Sequence, residues 1–258
     1  MSDRLIDAHV HLDPNCGSAL QAAADLDRGM SASGVDRALV LHLLQQPWPV
    51  EELAEAIAAF PRMGAFVNVD PLAADPGKAL RRGIEELGFI GLKLHPRLQQ
   101  FSIEEAPVRT LIAQAGEMSV PVMIDAFPDG DWLMMGFSPL AFARLAKACP
   151  QTKIIFGHFG GQHCIDMMML AKRVPNMWFD ISYSFLYFRT SSVSADLVYC
   201  CRSMRFQRIL FGTDYPDRSL EVAVPDSLQM LTQMGVVGDD RSRLLWRNAA
   251  ELLGWTEF

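Results

Sequence analysis

Two histidines separated by one residue, His9 and His11, stand near the start of this 258-residue chain. On an extended strand, residues i and i+2 face the same side, so both imidazoles project together. Two neutral nitrogen donors one pleat apart can share a metal ion. An aspartate delivered from another strand adds the negative oxygen that a divalent cation favours. Alone, His-x-His fits two solvent-facing or hydrogen-bonded histidines better than a site. What sets this pair apart is its company. Lys93 and His95 end another apolar run, and Asp125, His158 and Asp214 end three more. Four of the six histidines fall at three such ends, while His42 and His163 are less committed.

Lys93 reads as a cation for a substrate carboxylate or a developing oxyanion, because a low-dielectric pocket strengthens such a contact. A solvated or ion-paired lysine is the plainer alternative. His95 is either a substrate contact or a structural group. Two loops are candidates for shaping specificity. Residues 127–137 are apolar, hinged by glycine and carry Trp132, as a lid over a pocket would. Residues 183–189 offer aromatic rings and Arg189, whose guanidinium suits a carboxylate. Ordinary packing or the interface of a homo-oligomer accounts for either loop equally well. Met167 to Met169 read as helix packing, and the vicinal Cys200 and Cys201 as a buried helical pair.

These groups need elements to position them. Short apolar runs closed by turn or polar residues recur at 5–11, 37–44, 64–70, 89–95, 120–125, 153–158, 177–182 and 208–214. Their length and composition fit strands buried on both faces. Amphipathic stretches at 19–33, 50–59, 76–87, 104–118, 139–148, 163–174, 195–204 and 220–234 read as helices between them. A last helix is expected over 239–253, ending at Gly254. Strands separated by helices of this length make right-handed βαβ units and a parallel sheet. Eight units in this length predict an α/β fold, a single (β/α)8 TIM barrel forming one domain over residues 1–258. A doubly wound open sheet is the runner-up. In such a barrel, catalytic groups project from the C-terminal strand ends, where the polar residues above fall.

Composition sets the outer limits. Half the residues are hydrophobic and 21% are charged, an ordinary globular balance that excludes general disorder. The net charge of −7, with acids and bases interspersed, makes nucleic acid and anionic membrane surfaces poor partners. No charge-free run approaches a membrane span. Five irregularly spaced cysteines suit reduced thiols in a cytoplasmic setting, and the first residues leave no room for a signal peptide.

The sequence resembles the amidohydrolase superfamily, in its amidohydrolase-related (family 2) branch. The resemblance rests on Ile6-Asp-Ala-His9-Val-His11, Gly91-Leu-Lys-Leu-His-Pro96 and Pro121-Val-Met-Ile-Asp125. It continues through Ile155-Phe-Gly-His158-Phe-Gly-Gly161, Leu210-Phe-Gly-Thr-Asp214-Tyr-Pro216 and the Arg247 to Gly254 tail. The matches come in the family's order and span almost the whole chain. They imply a (β/α)8 barrel, usually with one divalent metal, and hydrolysis of amides, esters or lactones, or decarboxylation of carboxylic acids. His9 and His11 match the strand-one metal ligands. Asp214 matches the aspartate that touches the metal and handles the proton of the attacking water. His158 matches a histidine that assists as acid or base, and Lys93 and His95 match a motif near the substrate.

One position departs from the pattern: many members carry a histidine where this chain has Asp125. Asp125 then joins the metal, lowering its net charge and tilting preference from zinc toward manganese. Alternatively it holds a water or orients His9 by hydrogen bonding, or the metal is lost and acid/base chemistry acts alone. The expected function is a hydrolase that uses a metal-activated water, zinc first and manganese second, on a small, carboxylate-bearing organic molecule. The alternative is a non-oxidative decarboxylase on the same scaffold. A metal-free or inactive ligand-binding barrel is a lesser one.

Overall fold

The computed structural model describes residues 4–255. The expectation about a leader segment rests in part on residues 1–3, which lie outside them. Eight parallel strands follow one another round the sheet in sequence order: β1 (Ile6–Val10), β2 (Arg37–Leu41), β3 (Met63–Asn68), β4 (Leu92–Leu94), β5 (Val122–Ile124), β6 (Ile154–Phe156), β7 (Met177–Asp180) and β8 (Ile209–Leu210). The helices between them are α1 (Ala19–Ser33), α2 (Val50–Ala58), α3 (Pro76–Glu85), α4 (Ala106–Glu117), α5 (Pro139–Ala148), α6 (Cys164–Ala171), α7 (Val193–Ser203) and α8 (Leu220–Gln233). The alternation is that of a single (β/α)8 TIM barrel, as the spacing predicts.

Local chemistry starts the helices where the sequence marks them. Ser18 accepts from the Gln21 N–H to cap α1, Asp75 caps α3 ahead of Pro76, and Ser138 caps α5 ahead of Pro139. Each cap satisfies an otherwise orphaned donor, and proline at the first helical position gives up nothing. The last helix departs from expectation. It breaks into Gly238–Ser242, a wide π-type turn over Arg243–Arg247, and Asn248–Leu253. The Leu244 carbonyl accepts the Phe211 N–H at 3.1 Å, and Asn248 donates to the Phe206 and Ile209 carbonyls at 2.7 Å. The helix gives up regularity there to tie down the base of β8.

The strands are buried on both faces. Val40, Val67, Leu92, Leu94, Val122 and Ile154 pack outward with the helices, in one large apolar cluster. Ile6, Leu39, Phe66, Met123, Ile155, Trp178 and Leu210 fill the barrel, with Ala249, Ala250 and Leu252 packed in the same cluster. Register then places the chemistry. Lys93 pairs with Met123, Met123 with Ile155, and Ile155 with Trp178. Two residues further along each strand, on the same inward face, come His95, Asp125, Gly157 and Asp180. A layer that is apolar except for Lys93 therefore supports the rim that carries His95, Asp125 and Asp180.

Asp125, His158 and Asp214 lie just beyond the last paired residues of their strands, so the sequence-predicted strands overrun the observed ones. The β8–β1 seam closes through Ala8 N–H to the Phe211 carbonyl (2.9 Å), Asp214 N–H to the His9 carbonyl (2.8 Å) and His11 N–H to the Tyr215 carbonyl (2.7 Å). Beside these bonds the Asp7 carboxylate accepts from the Thr213 N–H and hydroxyl, at 3.0 and 2.6 Å, and from the His9 N–H at 3.2 Å. Burial pushes Asp7 up to about 7 against those hydrogen bonds. Among the described residues no helix is long and apolar enough to cross a membrane.

Candidate active site

His9 sits near the barrel axis because two inward positions around it are glycine. A Cβ at Gly212 would lie 2.7 Å from the His9 Cβ, and one at Gly157 would lie 3.4 Å from its Cε1. Its ring is almost wholly buried. Nδ1 lies 3.1 Å from Asp180 Oδ2, so it carries the hydrogen and donates, leaving the Nε2 lone pair free. His11 follows the same logic. Its Nδ1 donates to the Leu41 carbonyl at 2.7 Å, and its Nε2 turns inward.

Both Nε2 atoms converge on one oxygen, Asp214 Oδ1, at 3.2 Å from His9 and 3.4 Å from His11. The His9 Nε2 makes no hydrogen bond there despite its burial and the short distance. A buried nitrogen that sits beside a carboxylate without bonding to it is what ligands around a common cation look like. Such donors aim at a shared point rather than at each other. His9, His11 and Asp214 thus form a group whose donor atoms all fall within 4.8 Å of one another. Burial lowers His9 to about 4, keeping it neutral, as a ligand must be.

Asp125 lies outside this trio. Its Oδ1 is 3.1 Å from His158 Nε2 and 3.7 Å from His95 Nε2. The other nitrogen of His158, Nδ1, faces the Ser182 carbonyl at 3.1 Å. Acceptors on both sides of the ring call for two N–H groups, hence an imidazolium. Burial opposes that charge, but the hydrogen bond to Asp125 and the fields of Asp214, Asp125 and Asp180 outweigh it and raise His158 to about 9. Asp125 is held far below the usual carboxylate range. Burial works against this, and His95, His158 and Lys93 overcome it. His158 itself adopts a left-handed φ of 61°, and Asp214 one of 65°, at a cost of about 1–3 kcal/mol each. Backbone strain of this kind collects where side chains must be aimed.

Sequence reasoning missed Asp180, which ties the two halves together. Its Oδ2 accepts from His9, and its Oδ1 accepts from the His158 N–H (3.1 Å), the Ser182 N–H (2.9 Å) and the Ser182 hydroxyl. Burial would push this carboxyl up, but those partners hold it at about 2. The signal that exposed Asp125, an acid ending an apolar strand, was present at Asp180 as well.

Lys93 is wholly buried inside the barrel, and its Nζ has no hydrogen-bond partner. Burial lowers its pKa, while Asp125, Asp214 and Asp180 pull the other way. His95 is lowered to about 3, first by burial, and its Nδ1 accepts from the Leu98 N–H to start the short helix Pro96–Gln99. The two loop residues point elsewhere. Arg189 turns its guanidinium to Asp226 on α8, and Trp132 packs edge-on against Phe137 and Phe142. The rings that do flank His158 are Phe127 and Tyr183, at 5.8 and 6.0 Å between centroids, and Tyr187 stacks on Tyr183.

The profile of the family described as amidohydrolase matches residues 6–255. No curated protein matches the sequence. Among solved structures, the chain is similar to an uncharacterised TIM-barrel protein of Bordetella bronchiseptica, at 17% identity and a TM-score of 0.80, covering 97% of this chain and 98% of that one. A probable 2-pyrone-4,6-dicarboxylic acid hydrolase of Acinetobacter baumannii, with citric acid bound, matches at 14% identity and 0.72, covering 97% and 99%. A 5-carboxyvanillate decarboxylase of Sphingomonas paucimobilis matches at 15% identity and 0.70, covering 98% and 99%. At such identities the likeness establishes the fold.

Proposed function

The chain belongs to the amidohydrolase family, and on that premise we propose that it is a metal-dependent hydrolase opening an amide, ester or lactone bond in a small, carboxylate-bearing organic molecule. The observation that carries this reading is the convergence of His9 Nε2 and His11 Nε2 on Asp214 Oδ1, with both Nδ1 hydrogens already committed elsewhere. Two imidazoles and one carboxylate fit a divalent ion, zinc first and manganese second. When bound, such an ion supplies Lewis acidity toward a carbonyl and lowers the pKa of a water. Asp125 pairs with His158 instead of joining the trio, so one carboxylate rather than two would hold the ion.

The chain's own groups do the rest. Asp214, which is only partly buried, accepts the proton released as water attacks. His158, an imidazolium backed by Asp125, hands a proton to the leaving group. Lys93 offers its unpartnered amine to a developing negative oxygen. Phe127 and Tyr183 present apolar faces beside His158 and limit water there.

A second reading, a non-oxidative decarboxylase, is supported by the fold likeness to 5-carboxyvanillate decarboxylase and by His158, an acid equally suited to protonating carbon. The test is an assay of purified protein against a panel of lactones, esters, amides and aromatic carboxylic acids. Product acid without CO2 supports hydrolysis, and CO2 without net hydrolysis replaces it with the second reading. Turnover of neither kind, by protein with its metal loaded, leaves a ligand-binding barrel.

A further inference from the structure

Arg97 lies two residues beyond His95, in the short helix Pro96–Gln99 that the His95 ring caps, so its backbone is anchored at the C-terminal end of β4. Its side chain reaches the loop that follows β5, the one that carries Phe127, whose ring flanks His158. There its Nη1 lies 2.6 Å from Asp129 Oδ2. That contact uses one carboxylate oxygen. The other, Oδ1, is already committed to the Trp132 N–H at 2.9 Å, where Asp129 caps the short helix Gly130–Met134. The guanidinium therefore lacks the two-oxygen partner its planar fork is built for, and its buried Nε has no hydrogen-bond partner at all. Both partners are about a quarter to a third exposed, a setting in which an ion pair holds weakly.

We propose that Arg97 is the receptor for the substrate's carboxylate, and that Asp129 fills its place when no substrate is bound. The inference rests on the carboxylate-bearing substrate of the proposed function. It adds the residue that selects that substrate and the internal group it must displace. A ligand carboxylate brings two oxygens to Nε and Nη, where Asp129 brings one.

The test uses the whole protein and three probes: formate, benzoate and the uncharged isostere benzamide. Each is titrated by calorimetry, with and without chelator so that anion binding to a metal is set apart. Arg97→Gln should weaken the two carboxylates about tenfold or more while leaving benzamide unchanged, the size expected for a hydrogen bond to a charged group. Asp129→Asn keeps the cap oxygen but removes the competing charge, so it should tighten the carboxylates severalfold. A residue with a purely structural role would move both variants in the same direction. Carboxylate binding that is absent from the wild type, unchanged by Arg97→Gln, or weakened by Asp129→Asn would overturn the proposal. Metal content and product analysis are read separately, so a protein that proves not to be a hydrolase still reports on Arg97.

Discussion

Asp125 and His158 form a buried pair, with Oδ1 and Nε2 3.1 Å apart and the opposite face of the ring held by the Ser182 carbonyl. The sequence position where many family members carry a histidine here supplies the counter-charge of the neighbouring strand's histidine. Asp125→Asn should bring the His158 pKa down toward the ordinary 6.5, and should cost about 2–3 kcal/mol at neutral pH by removing the carboxylate that favours the imidazolium. A folded pKa raised from 6.5 to about 9 gives stability that is complete below 6.5 and lost as pH rises through 9. Metal-free wild type should therefore lose stability relative to Asp125→Asn between pH 7 and 10. Imidazole proton shifts and thermal melts across that range check both statements, and parallel pH curves would refute the pairing.

Asp180 touches no substrate in this account, yet it holds the His9 ring by its Nδ1. Asp180→Asn should weaken zinc about 10–100-fold, the usual effect of losing the group that orients a ligating histidine. Competition with a chromophoric chelator measures this. Zinc affinity within twofold of wild type would show that His9 is oriented by something else.

Gly212 gives His9 its space. In Gly212→Ala the new Cβ meets two other Cβ atoms, those of His9 and Ser182 at 2.7 and 3.0 Å, and neither can swing away. The variant should lose metal and about 1–3 kcal/mol of stability. Gly130→Ala, where nothing lies within 4 Å, serves as the control and should change neither. Full metal occupancy in Gly212→Ala would contradict the packing argument.

Lys93 buries an amine with no hydrogen-bond partner. Lys93→Met fills the same volume without that cost, so it should raise stability by about 1–2 kcal/mol while lowering turnover. Denaturant melts and the panel assay read the two together. A destabilised variant would mean that the amine is satisfied in the folded protein.

How far the sequence anticipates this site depends on the element that carries each residue. His9, His11, Asp125, His158 and Asp214 are legible because a strand's twofold period and its C-terminal end fix direction and place, without reference to the rest of the fold. α1 and α5 match their expected spans, 19–33 and 139–148, because caps and proline mark their starts. The partnership of Asp125 with His158 is not legible. It depends on neighbouring strands in register and on a left-handed turn after β6 that no propensity announces. Arg189 and Trp132 were singled out by residue type on loops, but loop direction is set by tertiary contacts, and theirs are Asp226 and two phenylalanines. The short helices Pro96–Gln99, Gly130–Met134 and Ser184–Tyr187 span about one turn each, too little for periodicity to register.

The most direct measurement is the metal content of the purified protein and of three variants, His9→Ala, His11→Ala and Asp214→Asn, with thermal melts before and after chelation. One divalent ion per wild-type chain is predicted, sharply reduced in each variant. Chelation should lower the melting temperature of the wild type and leave the variants where they are, since an ion that binds only the folded state stabilises it by mass action. Wild-type protein that binds no divalent ion, or that holds it undiminished in all three variants, would contradict the account.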